Sequence, residues 1–288
     1  MKIDLHTHTT CSDGTMSPTE LVQHAIINGV TVMGLTDHDT VAGWNEAIGA
    51  VRGEFKLVLG SEISCLTESG QSVHMLGLLF DEKYQPLQDA LAISRDDRVP
   101  RMQKMIELMN ADGISITFDE VLKFKPEGAT LGRPHLADTL VSKGLVKNRD
   151  QAFAEWLNND SKYYVSHIAP TPVDAIKLIR AAGGVAVIAH PYSSLRDTAL
   201  TIESFTELKT AGLNGIEVDH RDHGVAERQN LRAIAEELDL VATGSSDFHG
   251  TGKLNLIAEN VTAPEHWERL ESMADQRRVV QIGTNRNQ

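Results

Sequence analysis

Histidine, aspartate and glutamate recur in this 288-residue chain at points where an apolar run is about to end. The first group is Asp4-Leu5-His6-Thr7-His8. On extended backbone, residues i and i+2 project to one face. Both imidazoles can therefore reach a single ion at about 2.0–2.2 Å. Asp13-Gly14 follows in the next loop, and Thr36-Asp37-His38-Asp39 follows a run rich in β-branched residues. Gly60-Ser61-Glu62 closes another run, His74 lies inside the next, and His190-Pro191 comes directly after Val185–Ala189. Ser245-Ser246-Asp247-Phe248-His249 repeats the i, i+2 spacing near the other end of the chain. Each group alone has an ordinary reading. A loop histidine can bond to its own neighbours, and a strand histidine such as His74 can be a satisfied core residue. As a set, they form a cysteine-free collection of nitrogen and oxygen donors, which suits Zn²⁺, Mn²⁺ or Fe²⁺.

These donors need a scaffold that gathers strand ends. The hydrophobic pattern predicts strands at Ile3–His6, Thr31–Thr36, Leu57–Ile63, Val73–Phe80, Val185–Ala189, Gly215–Val218 and Leu240–Gly244. It predicts helices at Ser17–Asn28, Ala42–Arg52, Val173–Ala182, Ile202–Ala211, Ala226–Leu238 and Pro264–Gln276. Ser17-Pro18-Thr19-Glu20 carries an N-cap serine, a first-turn proline and an acid three residues after the cap. Thr171-Pro172-Val173-Asp174 repeats that logic, and Gly29, Gly183 and Gly212 stand where helix ends require a left-handed residue. Alternation of this kind implies an α/β fold with a largely parallel sheet, and about seven strands suit a barrel. In barrels the active site forms at the C-terminal ends of the strands. Residues 96–164 break the alternation: Arg98–Ala111, Phe118–Lys123, His135–Lys143 and Arg149–Leu157 all pattern as helices. The expected organisation is a barrel of residues 1–95 and 165–288 with a small helical insertion at 96–164.

Composition narrows the function classes. A net charge of −13 argues against broad binding to nucleic acid or anionic membrane. It leaves room for an anionic substrate at one site, because bound metals reverse the local charge. Two cysteines, Cys11 and Cys65, make no disulfide framework. The N-terminus has no signal-peptide pattern, and no run of about 18 apolar residues offers a membrane span. A cytoplasmic enzyme with no obvious protein partner is the expectation.

Taken in order, Asp4-x-His6-x-His8, Asp13-Gly14, Thr36-Asp37-His38-Asp39, Gly60-x-Glu62, His74, Ala189-His190-Pro191 and Ser246-Asp247-x-His249 resemble the motif set of the PHP (polymerase and histidinol phosphatase) family. The resemblance runs from residue 1 to about residue 250. It implies a distorted (β/α)7 barrel holding two or three divalent ions, Mn²⁺ foremost, with Fe²⁺ or Zn²⁺ as alternatives. By position, it implies one ion on His6, His8, Glu62 and Asp247, and a second on Asp13, His38 and His249. A third would sit on Glu62, His74 and His190, with Glu62 bridging. Some family members carry His where this chain has Asp13, which leaves the count of ions open. Asp13, Glu62 and Asp247 bring three negative charges, fewer than even two divalent ions supply, so the loaded site would attract phosphate. A metal-bound hydroxide could then attack phosphorus in line, with no Ser or Cys nucleophile.

Arg98 and Arg101 share a helical face and Arg133 lies in Gly132-Arg133-Pro134-His135, so all three are candidate phosphate holders. His135 belongs to the same candidate substrate loop. His223, after the strand end at Glu217-Val218-Asp219-His220, is a candidate both for substrate binding and for protonating the leaving oxygen beside the catalytic Asp13 and Asp247. The insertion, the Arg-Pro-His loop and the stretch Gly183–Pro191 resemble the TrpH-type subgroup. That implies removal of the 3′-phosphate from 3′,5′-nucleoside bisphosphates, with 5′→3′ exonuclease action on short 5′-phosphorylated RNA as an extension. The rivals are a histidinol-phosphate phosphatase, an amidohydrolase, whose usual bridging lysine has no candidate here, and a non-catalytic metal-binding module.

Overall fold

The computed structural model describes residues 1–193, 200–275 and 279–281. Seven strands follow one another in sequence order around a nearly closed sheet: β1 (Ile3–Asp4), β2 (Val32–Leu35), β3 (Lys56–Leu66), β4 (Ser72–Leu78), β5 (Val185–Ala189), β6 (Gly215–Asp219) and β7 (Val241–Gly244). A short strand, β8 (Val279–Val280), adds antiparallel to β3 at Leu57 and Val58. Strands β1 and β7 close the ring through a parallel bridge between Thr7 and Phe248. Asp4 reinforces the closure, since its carboxylate accepts Ser246 N–H (3.0 Å), Ser246 Oγ–H (2.5 Å) and Ala258 N–H (2.8 Å).

The helices are α1 (Pro18–Ile27), α2 (Trp44–Ala50), α3 (Gln85–Ala111), α4 (Phe118–Leu122), α5 (Arg133–Ser142), α6 (Arg149–Ala152), α7 (Pro172–Ala181), α8 (Ile202–Ala211), α9 (Val225–Glu237) and α10 (Pro264–Ser272). Ser17 and Glu20 form the expected capping box, and Thr171 Oγ1 accepts from Asp174 N–H. Gly29, Gly183 and Gly212 all have positive φ. The final helix stops short of the expected Gln276, a residue that, like 282–288 of the expected barrel span, lies outside the described residues.

The sheet is largely parallel, as expected, with one exception in the ring: β4 runs antiparallel to both β3 and β5. The cause is the short turn at 67–71, where Gln71 O accepts Thr67 N–H. Such a hairpin leaves no room for a crossover helix, so the strands it joins must be antiparallel.

Period-2 alternation sorts the strand residues into two cores. Ile3, Leu5, Val32, Val58, Leu76, Leu78, Val185, Val187 and Val241 form one buried cluster, joined by Trp267 and Leu270 of α10. Met33, Leu35, Leu57, Leu59, Ala186 and Ile188 pack outward with Leu21, Ile176 and Leu231 of the surrounding helices. Truncating one such leucine to alanine costs about 2–5 kcal/mol. The insertion has its own cluster, including Met102, Met105, Met109, Leu136, Leu140 and Leu157. Helix α3 joins the two bodies: its Leu87 and Leu91 belong to the barrel core, and its Met102 onward to the insertion core.

Candidate active site

Among the described residues, six of the strands, all but β6 and β8, deliver an expected donor to one end of the barrel. His6 and His8, just beyond β1, bring their Nε2 atoms to within 3.0 Å of each other. Glu62 on β3 stands at the centre. Its Oε2 lies 3.3 Å from His6 Nε2, 3.2 Å from His8 Nε2 and 3.1 Å from His38 Nδ1. Its Oε1 lies 2.6 Å from His74 Nδ1 on β4 and 3.0 Å from His190 Nε2 beyond β5. The two oxygens of one carboxylate thus face different histidine sets, as a bridging ligand must.

The loop bearing Asp13 is shaped by Asp37, which accepts Thr9 N–H (2.8 Å), Thr9 Oγ–H (2.6 Å) and Ser12 Oγ–H (2.6 Å). This aims Asp13 at His249 Nε2 (3.2 Å) and His38 Nε2 (3.7 Å). Asp247, beyond β7, has φ +51, and His190 has φ +28. Left-handed backbone at non-glycine residues costs free energy and persists where the surroundings dictate it, commonly at functional sites.

The donor atoms fall into groups able to share an ion: His6, His8, Glu62 and Asp247; His8, Asp13, His38 and His249; and His38, Glu62 and His74. The first group matches the expected first site residue for residue. The second adds His8 to the expected set. In the third, His38 stands with Glu62 and His74, while His190 touches Glu62 and also falls into a group with His6 and Glu217. His38 Nδ1, His249 Nε2, His220 Nε2 and Asp247 Oδ1 are buried without a hydrogen-bond partner. Such orphans are costly in a protein interior unless a ligand meets them, and a cation suits these lone pairs. Burial pushes the His38 ring down to about 3 against the pull of Glu62 and Asp13, so it is a neutral donor. Burial also acts on His8, but the adjacent carboxylates of Asp247 and Glu62 outweigh it and lift that ring to about 9.

Glu217 escaped the sequence reading. Its Oε1 takes His6 Nδ1–H at 3.1 Å, and its Oε2 takes His190 N–H at 2.8 Å. Burial works to raise its pKa, yet His6 and its neighbours hold it at about 2. The ionised carboxylate fixes the His6 tautomer with Nε2 toward the cluster, a recurrent support for metal-ligating histidine. The signal was there to find, since an acid at the centre of the apolar strand Gly215-Ile216-Glu217-Val218 is out of place in a core.

A cleft of about 520 Å³ runs from this cluster to the insertion, a volume ordinary for a small-molecule site. Arg98, Arg101 and Arg133 line its far end. Arg98 pairs with Asp39 and donates to Ser64 Oγ (2.9 Å) and Leu131 O (3.1 Å). Arg101 Nε donates to Val165 O (2.7 Å), and Arg133 Nη1 donates to Leu157 O (2.7 Å) and Asn159 Oδ1 (3.0 Å). Both guanidiniums lie against the ring of Tyr164, at 5.4 and 5.8 Å from its centroid. His167, unnoticed in the sequence, lines the same end with its Nδ1 buried and unpartnered.

Two candidate residues lie elsewhere. His135 is buried, accepts Gly132 N–H at its Nδ1 (3.0 Å), and is not among the described residues lining the cleft. His223 donates from Nδ1 to Val218 O (2.9 Å) and accepts Tyr192 N–H at Nε2 (3.2 Å). With both nitrogens engaged by backbone, it too stands away from the cleft lining. Cys11 and Cys65 are both free thiols. No helix among the described residues is long and apolar enough to cross a membrane.

A family model described as the PHP domain matches residues 4–163. The 5′-3′ exoribonuclease of Haemophilus influenzae is 36% identical over 249 residues, covering 86% of this chain and 90% of that protein. The 3′,5′-nucleoside bisphosphate phosphatase of Chromobacterium violaceum is 33% identical over 252 residues, with 87% and 88% covered. A solved structure from Bifidobacterium adolescentis, described as a metal-dependent phosphoesterase, superposes with a TM-score of 0.88 at 38% identity, over 94% of this chain and 96% of that one. One from Chromobacterium violaceum, described as an amidohydrolase with sulfate bound and no metal, superposes equally well (0.88) at 30% identity over the whole of both chains.

Proposed function

The chain belongs to the PHP family of metal-dependent phosphoesterases, and from that membership we propose that it removes the 3′-phosphate of 3′,5′-nucleoside bisphosphates, leaving the 5′-monophosphate. The observation that carries the reading is the two-ended cleft. A cluster of buried donors lies at one end and arginines of the insertion lie at the other, which suits a substrate bearing two phosphates. The name of the Chromobacterium violaceum relative supports it.

His6, His8, Glu62 and Asp247 would hold one divalent ion, and Asp13, His38 and His249, with His8 alongside, a second. Glu62, His74 and His190 would hold a third, with Mn²⁺ the expected metal. When bound, such ions supply Lewis acidity and a nucleophile at neutral pH. The protein's own residues bind and orient. Arg101 and Arg133 would take the 5′-phosphate, with their guanidiniums steadied against Tyr164. Asp37, Asp39 and Glu217 hold the donor loops in place. The name of the Haemophilus influenzae relative supports RNA as a second substrate, and short 5′-phosphorylated RNA would suit the cleft, since its 5′ end presents the same pair of groups, a terminal phosphate and a 3′-phosphoester.

The test is Asp247→Asn, assayed by phosphate release from adenosine 3′,5′-bisphosphate with Mn²⁺. Loss of a donor shared with His6 and His8 is expected to slow turnover by at least ~10³-fold. Turnover at the parent rate would sink the metal-centred reading. Release of ammonia or a carboxylate from amide substrates, with no phosphate released from the bisphosphate, would favour an amidohydrolase instead.

A further inference from the structure

Lys253 belongs to neither the donor cluster nor the arginine set, yet its Nζ lies 2.5 Å from Asp247 Oδ2. The two oxygens of Asp247 face different partners. Oδ1 lies 3.4 Å from His6 Nε2 and 3.2 Å from His8 Nε2, and accepts no hydrogen bond. Oδ2 is held by Lys253, with His220 Nε2 at 3.6 Å. The carboxylate is divided between the donor cluster and an ammonium that lines the cleft.

The backbone that presents this lysine is pinned from several sides. Lys253 follows a short 3₁₀ turn, Gly250–Gly252. Thr15 Oγ1 accepts Thr251 N–H (2.9 Å), and Gly250 has φ +67 with Thr15 Oγ1 filling the space a side chain would need. From the insertion, Arg149 Nη1 donates to Gly252 O (3.2 Å), while its Nε (2.6 Å) and Nη2 (2.5 Å) grip the Asp138 carboxylate side-on. Asn255 Nδ2 donates to Ser246 O (2.7 Å) on the far side.

A fixed ammonium beside a site built for divalent cations repels them. Its placement suits an anion that arrives later. We infer that Lys253 contacts the scissile phosphate: its ammonium rests on Asp247 Oδ2 before substrate binds and moves to a non-bridging phosphate oxygen as substrate seats. Asp247 Oδ1 stays turned to His6 and His8 throughout. Arg149, whose own charge is engaged by Asp138, acts as a positioning residue for this lysine. The inference rests on the phosphoesterase reading above and adds to it a contact at the reacting group.

The experiment compares the parent with Lys253→Gln and, keeping more of the aliphatic stem, Lys253→Met. Three quantities are measured: metal content, calorimetric binding of inorganic phosphate to the Mn²⁺-loaded protein, and kcat and KM for adenosine 3′,5′-bisphosphate. Expected are parent-level metal content, at least ~10-fold weaker phosphate binding, and a kcat lowered by about 30–100-fold with KM changed less. Phosphate binding and kcat within twofold of the parent would overturn the inference. So would metal loss in proportion to activity, since Lys253 would then merely support Asp247. Should the parent itself release no phosphate from the bisphosphate, the functional reading fails. The phosphate-binding comparison still decides the lysine contact in that case.

Discussion

The two ends of the cleft are built on opposite principles. At the donor end, buried side chains come from six strand ends and loops and converge on one another, leaving orphaned lone pairs. At the insertion end, the arginines are tied into backbone carbonyls, a carboxylate and an aromatic ring. The first arrangement is able to hold cations. The second is held by its hydrogen bonds and ring contacts, with its arginines lining the cleft. Under the proposed function, the barrel would carry the chemistry and the insertion would choose the substrate.

This contrast can be broken most forcefully at Glu217. Glu217→Gln keeps the shape but no longer holds His6 and His190 in place by charge, and metal affinity or turnover should fall by about 10–100-fold. Metal titration with a fluorescent chelator measures it, and unchanged affinity would show that the donor end needs no such support. A smaller and different effect is expected at the other end. Arg101→Ala should raise KM for bisphosphates by about 10-fold or more relative to 3′-monophosphates, with kcat little changed. A fall in kcat with KM constant would mean the two ends are not separable.

The smallest effect is on pH dependence. His8 in the metal-free protein titrates near 9 rather than near 6.5, because Asp247 and Glu62 overcome its burial. A raised histidine pKa gives stability that is fully present below about 6.5 and is lost as pH rises through about 9. Metal must displace that proton, so metal binding strengthens over the same window. Thermal melts from pH 6.5 to 9 should show the metal-free protein losing a few degrees while the Mn²⁺-loaded protein does not. Parallel curves would contradict this account of His8.

Much of the donor end was legible residue by residue. Spacing at strand ends foretold donors at one end of a barrel, and the family resemblance implied the set His6, His8, Glu62 and Asp247, whose donor atoms do come together. The antiparallel β4 was concealed because an apolar run reads alike in either direction. Only the short turn at 67–71 betrays it. His223 stood next to a strand end like the residues of the cluster, and no local pattern distinguishes a ring aimed at a cluster from one clasped by Val218 O and Tyr192 N–H.

By itself the sequence determined which chemistry the chain can perform, since residue types and their placement after apolar runs are local properties, and it determined the family. Tertiary structure alone decided the partners. It put Glu217 behind His6 across 211 residues, Arg98 on Asp39 across 59, and Lys253 on Asp247 under a turn that Arg149 of the insertion holds. Such pairings depend on strand order and on the docking of two cores, and no periodicity within a single segment encodes either.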